Sequence, residues 1–142
     1  MKNLITILVA LLLTMVMATA SAENDQRAWV KLPPMMQQHM MSNMRDHLAA
    51  LDEILKSMAA GDLDKAADIA ESRLGMTALE AHGAAHMAKF MPEGMRANGT
   101  DMHRAASRFA LKAQEGDPNP AYRELTGITS ACVACHAGYR IR

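Results

Sequence analysis

The stretch Cys132-Val133-Ala134-Cys135-His136 lies close to the C-terminus and reads C-x-x-C-H. It places two thiols and an imidazole three and four positions apart, and residues at these spacings share one face of a helix. The three side chains can therefore meet one flat ligand. Each thiol can add across a vinyl group of haem to form a thioether, and histidine is a common proximal ligand of haem iron. The spacing is the attachment pattern of c-type haem, and it predicts covalently bound haem c at Cys132, Cys135 and His136.

Other uses of a C-x-x-C pair compete with haem attachment. A structural zinc site takes four protein ligands, and the chain has only these two cysteines. A thioredoxin-like dithiol belongs to a strand–helix context, whereas the surrounding sequence reads as helical. A single structural disulfide is compatible with the pair alone. The histidine that follows Cys135 and the exported context favour haem attachment.

Residues 1–22 read as a secretory signal peptide. Lys2 gives a short positive start, an uncharged apolar run follows over 4–17, and Ala20-Ser21-Ala22 is a small-residue cleavage site. The run is shorter than the ~20 apolar residues of a membrane span, and no later stretch is apolar enough to cross. We therefore predict cleavage after Ala22, export to the periplasm and no stable insertion in a membrane.

Charge and motifs exclude further classes of function. The chain has 15 basic and 15 acidic residues, and removal of Lys2 leaves 15 − 1 = 14 basic residues against 15 acidic ones. This balance carries no polybasic or polyacidic signal, and export argues against nucleic acid as a partner. The sequence has no G-x-S-x-G, P-loop or H-E-x-x-H motif, and Asp52 and Glu53 point apart on a helix. We therefore predict that the protein is not an enzyme.

Residues 23–142 have the length of a single domain. They contain one Trp, two Tyr and two Phe, a small aromatic supply for a core of this size. Leu, Ala and Met supply part of the bulk, and we expect a buried haem to supply the rest.

The spacing of apolar residues predicts the first two helices. After an extended lead-in over 23–34, helix A is expected over 35–60 and ends at Gly61. Its apolar seam recurs at alternating spacings of three and four and consists of Met41, Met44, Leu48, Leu51, Leu55 and Met58. Helix B begins after Asp62 or Asp64, and its buried stripe consists of Leu63, Ala66, Ala67, Ala70 and Leu74.

Two further helices complete the prediction. Helix C is expected from near Pro92 or Thr100 to Glu115, with Met95, Met102, Ala106, Phe109 and Ala113 on one side. In helix D, Asn119 is the expected cap and Pro120 the first residue. The stripe of helix D consists of Leu125, Ile128, Cys132, Cys135 and Tyr139. No stretch shows a strand alternation, so we predict an all-α fold, an antiparallel four-helix bundle with haem c bound near the C-terminal helix.

Over nearly all of residues 23–142, the chain resembles the class II c-type cytochromes, the cytochrome c prime family. The resemblance rests on the C-terminal placement of the C-x-x-C-H motif, on Tyr139-Arg140 after it, and on the first-helix pattern Met41-Ser42-Asn43-Met44-Arg45-Asp46-His47. It implies an up-down four-helix bundle with haem lodged between the helices. The implied function is a periplasmic monohaem cytochrome that carries single electrons to and from redox partner proteins, with a homodimer as a possible assembly.

The resemblance also assigns a role to Met41. Low-spin members of the family place a methionine thioether on the iron and carry electrons, whereas other members leave the sixth position open and bind a small gas such as nitric oxide. Met41 falls on this position and is the implied ligand opposite His136. Met44 shares the inward seam and competes with it. Met40 lies about 100° round the helix from Met41, given 3.6 residues per turn, so we expect it to face a neighbour or solvent.

One position departs from the family pattern. Many members carry a basic residue four places before the sixth-position side chain, near a haem propionate, and here that residue is Gln37. Arg140 and Arg142 are substitutes on position alone.

A third interpretation starts from the methionines and histidines. Eleven of the 14 methionines remain after removal of Met1, Met15 and Met17, and most are explained by packing, because Met fills irregular gaps. Thioethers favour Cu(I) and imidazoles suit copper. A copper-handling protein is therefore the second alternative to an electron carrier, after the gas-binding haem protein.

Overall fold

The structure, a computed structural model, describes residues 25–142. The predicted signal peptide and its cleavage site lie outside these residues. The described chain is mainly helical, as predicted. Its elements are β1 (Ala28–Trp29), α1 (Pro34–Ala59), α2 (Leu63–Leu74), α3 (Ala84–Ala88), α4 (Glu93–Gln114), α5 (Pro118–Gly138) and β2 (Tyr139–Arg140), with a 3₁₀ turn at Met76–Leu79. Within residues 25–142, no helix is both long and apolar enough to cross a membrane.

Local chemistry explains most of the helix boundaries. The side chain of Asp62 accepts a hydrogen bond from the Lys65 amide at 3.1 Å and caps α2. The expected cap of the last helix was wrong. Asp117 rather than Asn119 caps α5, because its carboxylate accepts from the Asn119 amide at 2.9 Å and Pro118 then suits the first turn.

Two short strands, which the sequence did not predict, join the ends of the described chain. Ala28 pairs with Tyr139 in parallel, and the Val30 amide donates to the Arg140 carbonyl at 2.8 Å. Tyr139 is therefore outside α5, although it was predicted to extend the buried stripe of that helix. Strands of two residues are too short to show an alternation of side chains.

The helices pack in sequence: α1 on α2, α2 on α4, and α4 on α5. Their buried faces form the main core, in which Ile54, Leu74, Phe109 and Ile128 are the largest fully buried side chains. The residues predicted on one side of helix C, which corresponds to α4, are all buried. In α2 the predicted residues are also buried, except Leu63, which is partly buried. A second cluster, here called the end cluster, consists of Val30, Leu32, Met40, Met87 and Met95.

The predicted seam of the first helix is partly wrong. Leu48 is 70% exposed and Leu55 is 49% exposed, whereas Ala50 and Ile54 are fully buried. Since α1 packs chiefly on α2 over this stretch, only one stripe is covered, and the small side chain of Ala50 lets the helices approach. Periodicity alone does not tell which of two adjacent apolar stripes meets the neighbour.

Phe109 and Leu111 offer a matched test of this packing. Phe109 is 0% exposed in the main core, and Leu111, two residues on along α4, is 63% exposed. Phe109→Ala should lower the free energy of unfolding by about 3–5 kcal/mol because it leaves a cavity, while Leu111→Ala should change it by less than ~0.5 kcal/mol. Denaturant unfolding measures both. Equal losses in the two variants would contradict the assigned helix face.

Candidate cofactor site

A cavity of about 600 Å³ is bordered by residues of the main core and by residues of the end cluster. Its size is within the roughly 300–1,000 Å³ of small-molecule and cofactor sites. Its wall is rich in thioethers: Met40, Met41, Met44, Met87, Met91, Met95 and Met102 all line it. Flexible, polarizable methionine side chains suit an irregular apolar ligand.

The C-x-x-C-H side chains reach this cavity together. Cys132, Cys135 and His136 lie on α5 and all three line the wall, as the helical spacing predicted. Cys132 packs against the main core and Cys135 against the end cluster, so the two thiols lie on either side of the boundary between the clusters. Both are free thiols and both are partly buried. With Met41, all four predicted site residues border one cavity.

Burial sets the protonation state of the two cysteines. It raises the pKa of both thiols, and the neighbouring Cys132 raises the pKa of Cys135 further. Both side chains therefore stay as thiols at neutral pH. The thiol is the form that adds across a carbon–carbon double bond, sulfur to one carbon and hydrogen to the other.

Three methionines of α1 compete for one position. Met41 and Met44 are partly buried and Met40 is buried, and all three line the cavity. Met40 packs within the end cluster with Met87 and Met95, which agrees with the expectation that it faces a neighbour. Because its side chain also borders the cavity, helical position alone does not exclude Met40 as a ligand.

One part of the wall is cationic. Arg27, Arg96, Arg140 and Arg142 line the cavity, and no Asp or Glu of residues 25–142 does. Arg96 donates to the carbonyl of Ala88 at the end of α3 and to that of Met91 in the following loop, and Arg27 is paired with Asp25.

Arg140 has an unused donor. Its Nε is buried and has no hydrogen-bond partner within residues 25–142; it lies 3.5 Å from the Asp25 carboxylate, an ion-pair contact that is long for a hydrogen bond. The Asp25 carboxylate faces this nitrogen, and the Arg140 side chain also borders the cavity. Gln37 donates to the Ile141 carbonyl at 2.7 Å and holds the C-terminal tail that carries Arg140.

The same cavity gathers three histidines that sequence reasoning did not group. His47 is on α1, His82 precedes α3, and His103 is on α4. Their ring centroids lie 4.7 Å apart for His47 and His82, 5.3 Å for His82 and His103, and 6.0 Å for His47 and His103. No spacing rule connects residues 35 and 21 positions apart, so only the fold reveals this histidine triad.

Burial favours the uncharged form of two rings of the triad, His47 and His82. It lowers the pKa of His47 to about 4, with the neighbouring histidines adding to the effect, and it lowers the pKa of His82. The Asp46 carboxylate acts to raise the pKa of His47, but it also forms an ion pair with Arg73.

The shifted His47 predicts a pH dependence of stability. Its pKa falls from 6.5 in the unfolded chain to about 4 in the folded one. Between these values the unfolded chain binds more protons, so the free energy of unfolding decreases as pH falls through this window, by up to ~3 kcal/mol. Above pH 6.5 the group has no effect. Denaturant unfolding of wild type and His47→Gln at neutral pH and near pH 4 measures the difference.

His86→Gln is the control for that measurement, because His86 is exposed. It should keep the acid sensitivity of wild type, while His47→Gln should lose part of it. An unchanged pH dependence in His47→Gln would show that the imidazole charges freely in the folded protein.

Comparison with known proteins gives no further information on this site. No protein-family model, no curated protein and no solved structure matches the chain.

Proposed function

We propose that the protein is a periplasmic monohaem c-type cytochrome of the class II type that carries single electrons. One observation carries the proposal: the two thiols and the imidazole of C-x-x-C-H converge on a thioether-lined cavity of cofactor size. The proposed architecture is an antiparallel four-helix bundle of α1, α2, α4 and α5, with haem c near the C-terminal helix. Redox proteins of the periplasm are the proposed partners.

The residues present fit haem. Cys132 and Cys135 would hold its two vinyl groups as thioethers, and His136 would bind the iron on one side. The four arginines that line the cavity and the absence of Asp and Glu from the described cavity wall fit the two carboxylates that haem carries. Met41 is the proposed ligand on the other side of the iron.

When bound, haem supplies an iron that accepts and releases one electron. The protein's contribution is to set the potential. A methionine thioether bound to the iron would raise it, and burial and hydrogen bonds would adjust it further. The methionine-rich wall would shield the bound group from water, and Arg140 would balance the charge of a carboxylate.

A redox titration followed by absorbance tests the electron-carrier function. The purified protein should show one reversible transition with a slope of about 59 mV per tenfold change in the oxidised-to-reduced ratio, as expected for one electron. Replacement of Arg140 by Gln should shift the midpoint without loss of haem, because the charge near the carboxylates changes. A transition that is absent or irreversible would contradict a carrier of electrons.

A further inference from the structure

The histidine triad has the dimensions of a metal site. Three imidazoles bound to one tetrahedral ion at roughly 2.0–2.1 Å place their ring centroids about 5.2 Å apart and their binding nitrogens about 3.4 Å apart. The observed centroid separations are 4.7, 5.3 and 6.0 Å, and Nε2 of His47 lies 3.5 Å from Nδ1 of His82. That nitrogen–nitrogen separation is long for a hydrogen bond.

Backbone contacts hold His103 as ligating histidines are usually held. Its Nδ1 lies 2.7 Å from the Leu74 carbonyl and 3.2 Å from the Gly75 carbonyl. Since a carbonyl oxygen only accepts, Nδ1 carries the proton and Nε2 has the free lone pair. Metal-binding histidines typically donate their other ring nitrogen to a carbonyl or carboxylate in this way, which fixes the tautomer.

The segment that carries His82 is also fixed against α1. The His82 carbonyl accepts from Nε2 of His39 at 2.8 Å and from the side-chain amide of Asn43 at 3.0 Å. Gly83 follows with a φ of +61°, and a Cβ at this position would come within 3.0 Å of the His39 ring. The close approach and the left-handed backbone both favour glycine, and together with the hydrogen bonds they hold His82 beside His47.

We propose that His47, His82 and His103 form a second metal site that binds one copper or zinc ion through three imidazole nitrogens. The three ligands lie outside the C-x-x-C-H motif but line the same cavity as the proposed haem, so the two sites would be neighbours. All three rings line the cavity, which leaves the fourth position of the ion open to it. Neutral rings are the form that binds a metal, and burial lowers the pKa of His47 and His82, which favours that form.

Binding requires movement of the rings. As the side chains stand, no three His, Cys, Asp or Glu side chains within residues 25–142 make a ready-made metal group. His47 and His82 already have their nitrogens at the right separation. His103 is held by its backbone contacts, so closure of the third side would require rotation of the His47 and His82 side chains towards its Nε2.

Nitrogen donors of this kind suit both copper and zinc, and the surroundings distinguish them. Met44 lies one turn before His47 on α1, and Met102 directly precedes His103; both thioethers line the cavity. A thioether in the fourth position would select Cu(I), whereas water there would suit Zn²⁺.

Metal titration of the protein as purified, with its haem content measured, tests the proposal. Zn²⁺ alone, and Cu⁺ alone under reducing conditions, are added after treatment with a chelator, and bound metal is counted after gel filtration. We expect one equivalent of at least one of these ions. X-ray absorption at the edge of the added metal should show three imidazole nitrogens, and the haem iron does not interfere with that measurement.

Variants assign the ion to the triad. His47→Gln and His82→Gln should each weaken binding at least ~10-fold, since even the loss of an outer hydrogen-bond partner costs that much. His86→Gln is the matched control, because His86 is exposed four residues from His82, and it should bind as wild type does. No bound ion, fewer than three imidazoles in the absorption spectrum, or equal loss in His86→Gln would overturn the proposal.

Discussion

Replacement of both Cys132 and Cys135 by alanine should yield a protein without covalent haem. The two thiols are free, partly buried and on the wall of the same cavity, and no other cysteine exists to replace them. Produced in a host that matures c-type cytochromes, wild type should have the mass of residues 23–142 plus one haem, and the haem should survive denaturation. The double variant should have the mass of the polypeptide alone. Intact-protein mass spectrometry under denaturing conditions measures both.

Val133→Ala is the control within the motif. Val133 lies between the two cysteines but is 67% exposed, so its loss should leave attachment intact. The single variant Cys132→Ala should retain at most one thioether. A wild-type protein with two free thiols or a disulfide, produced in the competent host, would contradict the proposed function as a whole. A haem that dissociates on denaturation would contradict covalent attachment only.

Met41→Leu should convert the haem iron from six-coordinate low-spin to high-spin and open it to carbon monoxide. The expectation follows from the proposed thioether ligand, because leucine has similar volume but no donor atom. Absorbance of the ferrous protein with and without carbon monoxide measures the change, and the weak sulfur-to-iron band of the ferric protein should disappear. Stability should fall by less than about 1.5 kcal/mol, as in other volume-conserving exchanges.

Met40→Leu and Met44→Leu are the matched controls, because both side chains line the same cavity from the same helix. They should leave the iron low-spin and closed to carbon monoxide. If one of them opens the iron instead, that methionine is the ligand and the assignment to Met41 is wrong. If wild type is already high-spin and binds carbon monoxide, none of the three binds the iron, and the gas-binding haem protein replaces the electron carrier.

Local sequence determined the four long helices and the grouping of the motif, whereas the short helix α3 was not predicted. Spacings of three and four place Cys132, Cys135 and His136 on one face wherever a helix forms, and Gly61 and Asp62 mark a boundary by their own backbone and side-chain chemistry. The buried side of α4 was also predictable, because its predicted apolar residues form one stripe. In the structure this stripe is buried, and α4 packs on α2 and α5.

Tertiary structure decided every feature that depends on residues far apart in the chain. Leu48 and Ile54 are both apolar residues of α1, and only the contact with α2 buries one and exposes the other. The unpartnered Nε of Arg140 arises where a two-residue strand pairs with the start of the described chain. The histidine triad joins α1, the segment before α3, and α4. Periodicity describes one element at a time, whereas a cavity and its wall are formed by several elements at once, and their relative rotation is set by packing.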